Sequence, residues 1–164
     1  MSRVRNCILR IGIHYSALSH PLKVGNLVMP ASTFRVPPLR VLIVEDNIVL
    51  AAFVRKAFEE AGHRIVGHAR TVEQGLVLIS ECEFEIALLD VDLNGRNSEP
   101  LALELRKRKT PFVVTTGSER MMTSAHSGAP LVLKPFKIDD LVKAATRFGM
   151  KRRRHLMTNL KTEV

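Results

Sequence analysis

The stretch that decides the fold is Val-Leu-Ile-Val-Glu-Asp-Asn, residues 41–47. Four consecutive apolar residues, mostly β-branched, are typical of a short strand that is buried on both faces. Two acids follow directly, and Asn47 is a residue type that often begins a helix. The stretch therefore predicts a buried strand, an acidic loop at its carboxyl end, and a helix that ends near Ala61, where Gly62 stops it.

The same alternation of strand and helix continues through residues 40–147. Further short apolar runs predict strands at residues 64–68, 86–89, 112–115 and 131–133. Capping residues and apolar spacing predict helices at residues 71–81, 98–109, 119–126 and 138–148, the last ended by Gly149. Strict alternation with short loops indicates an α/β fold in which a five-stranded parallel sheet carries helices on both faces.

Charge divides the chain into three parts. The formal net charge is +9, yet residues 40–147 carry 15 basic and 15 acidic residues and are neutral. The excess lies in residues 1–39, which contain five basic residues and no acid, and in the basic C-terminal end. We interpret residues 1–39 as a disordered basic leader, residues 40–149 as the folded domain and residues 150–164 as a basic tail. Such ends can attract nucleic acid or anionic lipid, but most are simply solvated.

Composition argues against several classes of protein. The two cysteines, Cys7 and Cys82, lie far apart and lack metal-ligand spacing. A disulfide framework or a zinc site is therefore not expected, and a reducing cytoplasm fits best. No apolar run approaches the roughly 18 residues that a membrane-spanning helix needs.

Reactive side chains stand at the ends of the predicted strands: Glu45 and Asp46, then Asp90, Thr116 and Lys134. The carboxyl ends of parallel strands meet at one edge of a sheet, so these groups are expected to converge. Two carboxylates about 4 Å apart repel by about 4 kcal/mol at an effective dielectric near 20, so either one of them takes up a proton or a cation lies between them. Oxygen ligands suit Mg²⁺. Together with an ammonium and a hydroxyl group, the set indicates a phosphoryl-transfer site.

Each of these residues has a simpler explanation when it is taken alone. Glu45 and Asp46 are acids at a helix start, where the helix dipole favours negative charge. Thr116 is compatible with an ordinary loop hydroxyl group. Only the joint arrangement, in this order along the chain, is specific for phosphoryl transfer.

Four motifs together resemble the receiver domain of bacterial two-component response regulators, the CheY-like family. They are residues 41–47, Ala-Leu-Leu-Asp-Val-Asp-Leu at 87–93, Pro-Phe-Val-Val-Thr-Thr-Gly at 111–117 and Leu-Val-Leu-Lys-Pro-Phe at 131–136. The resemblance covers about two thirds of the chain. It implies a flavodoxin-like (βα)5 fold with the strand order 2-1-3-4-5.

The resemblance also implies roles for the acids. Asp90 matches the phosphoacceptor, which takes a phosphoryl group from a phosphohistidine of a sensor histidine kinase or a phosphotransfer protein. Asp46 and Asp90 match direct ligands of Mg²⁺, Glu45 matches a ligand that acts through water, and Asp92 matches the residue whose backbone carbonyl binds the metal.

Thr116 and Lys134 match the residues that bind the phosphoryl group, and the bond from Lys134 to Pro135 is expected to be cis.

Two positions depart from the family pattern. Leu131 replaces the aromatic residue that usually turns inward with the threonine, which puts that coupling in question. Asp92 adds an acidic side chain beside the phosphoryl site, and the following loop contains the turn pair Asn94-Gly95.

The prediction is a single-domain response regulator that catalyses only its own phosphoryl transfer and slow dephosphorylation. Its Pro-Phe-x-x-x-Thr-Gly and Asp-Leu-Asn-Gly motifs resemble stand-alone receivers that are partnered with HWE- or HisKA2-type kinases. Only 15 residues follow Gly149, too few for a DNA-binding domain with its own core. We therefore expect signalling through an unknown downstream protein, without sequence-specific DNA binding.

Three alternatives stay open from the sequence. Asp90-x-Asp92 resembles the nucleophile and acid pair of a haloacid-dehalogenase-like phosphatase, although that family places the pair on its first strand and Glu45-Asp46 comes earlier here. The chain is also compatible with a receiver that drains phosphate from a relay. The third alternative is a receiver that signals without phosphorylation.

Overall fold

The computed structural model describes residues 38–161 and, before them, two short strands, Lys23–Val24 and Leu27–Val28, which pair antiparallel. The strands of the main sheet are β1 (Arg40–Val44), β2 (Arg64–Ala69), β3 (Ile86–Asp90), β4 (Phe112–Thr116) and β5 (Leu131–Leu133). The helices are α1 (Ile48–Glu60), α2 (Val72–Glu81), α3 (Glu99–Lys107) and α4 (Ile138–Lys161). None of these helices is long and apolar enough to cross a bilayer. The predicted leader lies almost entirely outside the described residues.

The main sheet has the order β2-β1-β3-β4-β5, and every pair of neighbours is parallel. This confirms the order 2-1-3-4-5 that the family resemblance implied. The chain runs outward from β1 to β2 and then crosses back to β3, so the direction of winding reverses between β1 and β3. Ligand sites of open α/β sheets lie at such a switch point, outside the carboxyl ends of the strands.

Helices cover both faces of the sheet, and each face has its own core cluster. Helices α1 and α4 lie on one face, and α2 and α3 lie on the other. The alternation within β1 shows the division, since Val41 and Ile43 pack with α1 and α4, whereas Leu42 and Val44 pack with α2 and α3. All four residues are buried, as expected for a strand that is covered on both sides.

The helix predicted at residues 119–126 is wrong. Only Glu119–Met121 form a single 3-10 turn, and irregular backbone continues to β5. The buried ring of His126 accepts a hydrogen bond at Nδ1 from the backbone N–H of Thr123, at 3.2 Å, and its Nε2 lies 3.2 Å from Oγ of Ser98 at the start of α3. Side-chain bonds to the backbone compete with the helical ladder. The segment is therefore held against α3 by His126 instead of forming a regular helix between β4 and β5.

The prediction that Gly149 ends the last helix is also wrong, because α4 continues to Lys161. This glycine serves packing: a Cβ atom at its position would lie 2.8 Å from Cδ1 of Leu39. Leu39 is fully buried, and its N–H donates to Nδ1 of His63 at 3.2 Å. The compact unit accordingly begins at Pro38.

Replacing Gly149 by valine is expected to destabilise the domain by about 1–3 kcal/mol, the usual cost of forcing extra carbons into a packed core. Urea unfolding near neutral pH measures the difference. Lys151→Val is the matched control, because Lys151 lies exposed on the same helix. Because valine has a higher helix propensity than glycine, a Gly149→Val variant that is no less stable than the parent would show that the contact with Leu39 does not limit this position.

Candidate functional site

Three carboxylates meet at the carboxyl edge of the sheet. Glu45 and Asp46 follow β1, and Asp90 is the last residue of β3, which pairs with β1. One oxygen from each residue lies within 4.8 Å of the others. Glu45 and Asp90 are buried, whereas Asp46 is partly exposed. The structure thus brings together the three acids that the sequence placed at strand ends.

The ammonium group of Lys134 reaches into this cluster from the end of β5. Its Nζ donates to Oε2 of Glu45 at 2.7 Å and to Oδ2 of Asp90 at 2.6 Å. Its backbone N–H donates to the carbonyl of Thr116 at 2.7 Å, next to the β4–β5 ladder, and its bond to Pro135 is cis, as expected. One cation therefore bridges two of the three acids and leaves the cluster with excess negative charge.

Burial controls the ionisation of these groups. Loss of hydration raises the pKa of Glu45 and of Asp90 above ordinary carboxyl values, and the hydrogen bonds from Lys134 only partly oppose the rise. Burial alone would lower the pKa of Lys134, but its bonds to the two carboxylates outweigh that effect and raise it. A further cation at this edge would favour the ionised carboxylates.

A tight hairpin beside β3 supplies backbone N–H groups to the site. Asp92–Leu93 pairs with Arg96–Asn97, and the connecting Asn94 and Gly95 have φ angles of 56° and 80°. Positive φ at both central residues is the requirement of a two-residue hairpin turn. The N–H of Asn94 donates to Oδ2 of Asp46 at 3.0 Å, so the hairpin fixes the orientation of this carboxylate.

The carboxylate of Asp92 caps the same turn, because its Oδ1 accepts the N–H of Gly95 at 2.6 Å. The backbone N–H of Asp92 lies 3.4 Å from Oδ1 of Asp90. From the sequence, this acidic side chain is expected to add charge beside the phosphoryl site. In the structure one of its oxygens is committed to the hairpin.

Thr116 and Leu131 both lie at the β4–β5 edge. The hydroxyl group of Thr116 donates to the carbonyl of Ser118 at 2.8 Å and accepts its N–H at 3.1 Å. Leu131 pairs with Val114, and it is 36% exposed. The position that lacks the aromatic residue therefore presents an aliphatic side chain at the edge of the sheet.

Comparison with known proteins decides the family. The family described as the response regulator receiver domain matches residues 41–146, which include nearly the whole sheet and its covering helices. This chain belongs to the receiver-domain family. The family places it in two-component signalling and confirms the resemblance drawn from the four motifs.

Relatives of this receiver domain include regulators and solved receiver structures. The transcriptional regulatory protein PdtaR of Mycobacterium tuberculosis is 33% identical over 112 residues, which are 65% of this chain and 55% of that protein. SdrG from Sphingomonas melonis Fr1 is 34% identical, covering 65% of this chain and 92% of that chain, with a TM-score of 0.58. The response regulator PhyR from Brucella abortus, at 23% identity and a TM-score of 0.65, covers 76% of this chain and 54% of that one and supports the fold alone. The receiver spans about half the length of the curated relatives it matches.

The acidic pocket of this receiver fits a hard divalent cation. Oxygen atoms of Glu45, Asp46 and Asp90 converge within 4.8 Å, and oxygen is the donor that Mg²⁺ prefers. Mg²⁺ usually binds through one or two carboxylates and keeps several waters, which suits an edge where Asp46 is partly exposed. The single ammonium group of Lys134 does not neutralise all three acids, so the donor set is compatible with a metal.

Two side chains at the carboxyl end of β2 were missed by the sequence analysis. Nε2 of His68 lies 2.7 Å from the backbone carbonyl of Glu45, and Nε of Arg70 donates to the carbonyl of Asp46 at 3.4 Å. Both contacts hold the loop that presents the acids. The carboxyl end of β2 lies at the same edge of the sheet as Asp90, because β2 pairs with β1. This strand end carries no acidic residue, so no sequence pattern indicated that it belongs to the site.

Proposed function

We propose that this receiver domain accepts one phosphoryl group on Asp90 from the phosphohistidine of a sensor histidine kinase or a phosphotransfer protein, in a Mg²⁺-dependent reaction, and then signals through protein contacts. The observation that carries the proposal is the bridge that Lys134 forms between Asp90 and Glu45, within a cluster that also contains Asp46. A cytoplasmic location is proposed from the two widely spaced cysteines.

In the proposed reaction, one carboxylate oxygen of Asp90 attacks phosphorus, the bond from phosphorus to the imidazole nitrogen breaks, and an acyl phosphate forms. The carboxylate is already oriented, because Lys134 donates to Oδ2 and the N–H of Asp92 lies beside Oδ1. Lys134 and the hydroxyl group of Thr116 bind the transferred oxygens, which requires Thr116 to release Ser118. Positioning and charge neutralisation provide most of the catalysis in such reactions.

Four residues are proposed to hold Mg²⁺: Asp46 and Asp90 directly, Glu45 through a water, and Asp92 through its backbone carbonyl. When bound, the ion neutralises charge on the phosphoryl oxygens. The hairpin N–H that holds Asp46 and the contacts from β2 keep the ligands in place.

Labelling by acetyl phosphate is expected to require Mg²⁺ and to stop in excess EDTA. The metal should also raise the melting temperature, with a stabilisation of about 2.7 kcal/mol when free Mg²⁺ is one hundred times its Kd. At a fixed Mg²⁺ concentration this stabilisation should shrink as the pH falls, because the raised pKa values of Glu45 and Asp90 let protons compete with the metal. Thermal unfolding in MgCl2 and in NaCl of equal ionic strength checks the effect. Full labelling in EDTA would contradict the metal's role.

An exposed apolar groove beside the site is suited to docking of the phosphohistidine donor. Val49 and Phe53 on α1 are 65% and 58% exposed. With Pro135 and Phe136 they line a groove of about 350 Å³ that reaches Lys134. Contiguous exposed apolar surface often marks a protein interaction site. Because this groove borders the lysine that contacts Asp90, we propose that the kinase or phosphotransfer protein binds here.

Phe53→Ala is expected to slow phosphotransfer from a cognate kinase about tenfold or more. Truncating an aromatic side chain that becomes buried at an interface costs about 2 kcal/mol of binding free energy. Labelling by acetyl phosphate should not change, because a small donor needs no docking surface. Leu103→Ala is the control, since Leu103 is 54% exposed on α3 at the other face of the sheet. A loss of labelling from both donors, or the same loss in the Leu103 variant, would exclude the docking role.

The proposed kinase is of the HWE or HisKA2 type, on the strength of the Pro-Phe-x-x-x-Thr-Gly and Asp-Leu-Asn-Gly motifs. We propose no enzymatic turnover beyond the receiver's own phosphorylation and slow dephosphorylation, and no sequence-specific DNA binding. Repeated release of phosphate from a small phosphomonoester would instead support the haloacid-dehalogenase-like alternative. Transfer that ends on Asp90 without changing any protein contact would support a phosphate sink.

A further inference from the structure

A cavity of about 310 Å³ lies at the end of the sheet opposite to Asp90. It is formed by the end of α3, the start of β4 and the later part of α4. Phe112 in its wall begins β4, whereas Asp90 pairs with Thr115 near the other end of that strand. At about 3.3 Å per strand residue, the two regions are roughly 10 Å apart along β4. We call this the basic cavity and define it by Arg106, Lys109, Thr110, Phe112, Phe148 and Arg152.

The basic cavity collects positive charge without a compensating acid. Arg106, Lys109 and Arg152 line it, and none of its lining residues is acidic. Within residues 38–153, no carboxylate forms an ion pair with any of these three side chains. Like charges that share a concave surface repel one another and attract an anion. The cavity therefore favours an anionic ligand.

Arg106 is already fixed in a position to bind such a ligand. Its Nε donates to the carbonyl of Ala125 at 2.6 Å, and an Nη2 hydrogen is donated to the carbonyl of Ser127. The guanidinium carbon lies 5.6 Å from the centroid of the Phe112 ring. These contacts use two of the five N–H donors of the guanidinium group. A side chain that is ordered beforehand loses little conformational entropy when it binds.

The remaining surface indicates that the anion has a planar organic part. Phe148 and Thr110 line the cavity beside Phe112, which is itself only 4% exposed. The volume of about 310 Å³ lies at the lower end of the range of roughly 300–1,000 Å³ for small-molecule sites. This is room for one ring system with its phosphate. Bases stack on aromatic and guanidinium planes, and Lys and Arg bind phosphate through charge-assisted hydrogen bonds.

We propose that the basic cavity binds a nucleoside monophosphate, with the phosphate between Lys109 and Arg152 and the base against Phe148. The site also explains part of the basic run Lys151–Arg154, because Arg152 of that run lines the cavity. It is separate from the phosphorylation site, so the proposal does not depend on phosphoryl transfer to Asp90.

Titration of the ¹⁵N-labelled full chain with adenosine or guanosine monophosphate, in EDTA, tests the proposal. Saturable amide shifts are expected at Lys109, Thr110 and Gly128, while Asn94 and Gly95 beside the acidic cluster stay unchanged. Inorganic phosphate and free adenosine should each bind at least about tenfold more weakly than the nucleotide, because each supplies only part of the interaction. Shifts confined to the acidic cluster, equal binding of inorganic phosphate, or no saturable shift would each overturn the proposal.

Arg152→Gln and Lys109→Gln are each expected to weaken nucleotide binding about tenfold, the effect of losing one charge-assisted contact. Both residues lie at the surface, and unchanged melting temperatures verify folding. Lys151→Gln is the matched control, because Lys151 belongs to the same basic run but does not line the cavity. Equal weakening in the Lys151 variant would show that net charge alone attracts the nucleotide and would overturn the site.

Discussion

Asp90→Asn is expected to abolish phosphorylation by acetyl phosphate and by a cognate kinase. The amide lacks the carboxylate oxygen that attacks phosphorus. Folding should survive, because the amide oxygen can still accept the hydrogen bond from Lys134 and because burial already disfavours the charged form of Asp90. Separation of phosphorylated from unphosphorylated protein on Phos-tag gels measures the loss, and thermal unfolding verifies the fold.

Asp92→Asn is the matched control for this variant. It removes a negative charge two residues away, yet its side-chain oxygen can still accept the N–H of Gly95 and keep the hairpin. Labelling should therefore persist in the Asp92 variant. Undiminished labelling of the Asp90 variant would show that another residue is the acceptor.

Lys134→Met is expected to produce the largest loss of stability. The substitution removes the only cation that hydrogen-bonds the two buried carboxylates within the described residues, and leaving buried charge unpaired costs about 3–5 kcal/mol. The cost should depend on pH. Without Lys134 the folded-state pKa of Glu45 and of Asp90 rises further above the unfolded value, so the penalty is complete above the folded pKa and disappears as both groups take up protons at lower pH.

Urea unfolding in EDTA at about pH 8 and about pH 5 measures this difference, which should be much larger at the higher pH. Lys143→Met is the control, since Lys143 is exposed on α4. Its Nζ lies as far as 4.0 Å from Oδ1 of Asp140, its one ion-pair partner in the described part of the chain. A loss that is the same at both pH values would contradict the assignment, because it would point to packing of the lysine stem and not to unpaired charge.

Most of the sheet was predictable from the sequence because its three central strands, β1, β3 and β4, are buried on both faces. An apolar run such as residues 41–44, followed directly by acids, has few other structural solutions. The convergence of Glu45, Asp46, Asp90 and Lys134 then follows from topology alone, since parallel strands deliver their carboxyl ends to one edge. The bond distances within the cluster and the turn bond of Asp92 were not predictable, because they depend on side-chain orientation.

The two wrong helix predictions, a helix at residues 119–126 and a helix end at Gly149, both result from contacts between residues that are distant in the sequence. The helical propensity of residues 119–126 is overridden by the buried contacts of His126, which involve Ser98 at a distant point in the sequence. Gly149 is read as a helix end when only local sequence is considered. Its actual role is to let α4 approach Leu39, a contact between residues more than one hundred positions apart that no local pattern reports.

Phosphorylation of the purified chain tests the central proposal most directly. The protein is incubated with acetyl phosphate and MgCl2, its intact mass is measured, and the acyl phosphate is located by borohydride reduction and peptide mapping. We expect one phosphoryl group per chain, on the peptide that contains Asp90. A chain that gains no mass, carries the group on another residue, or releases many equivalents of phosphate from a phosphomonoester would contradict it.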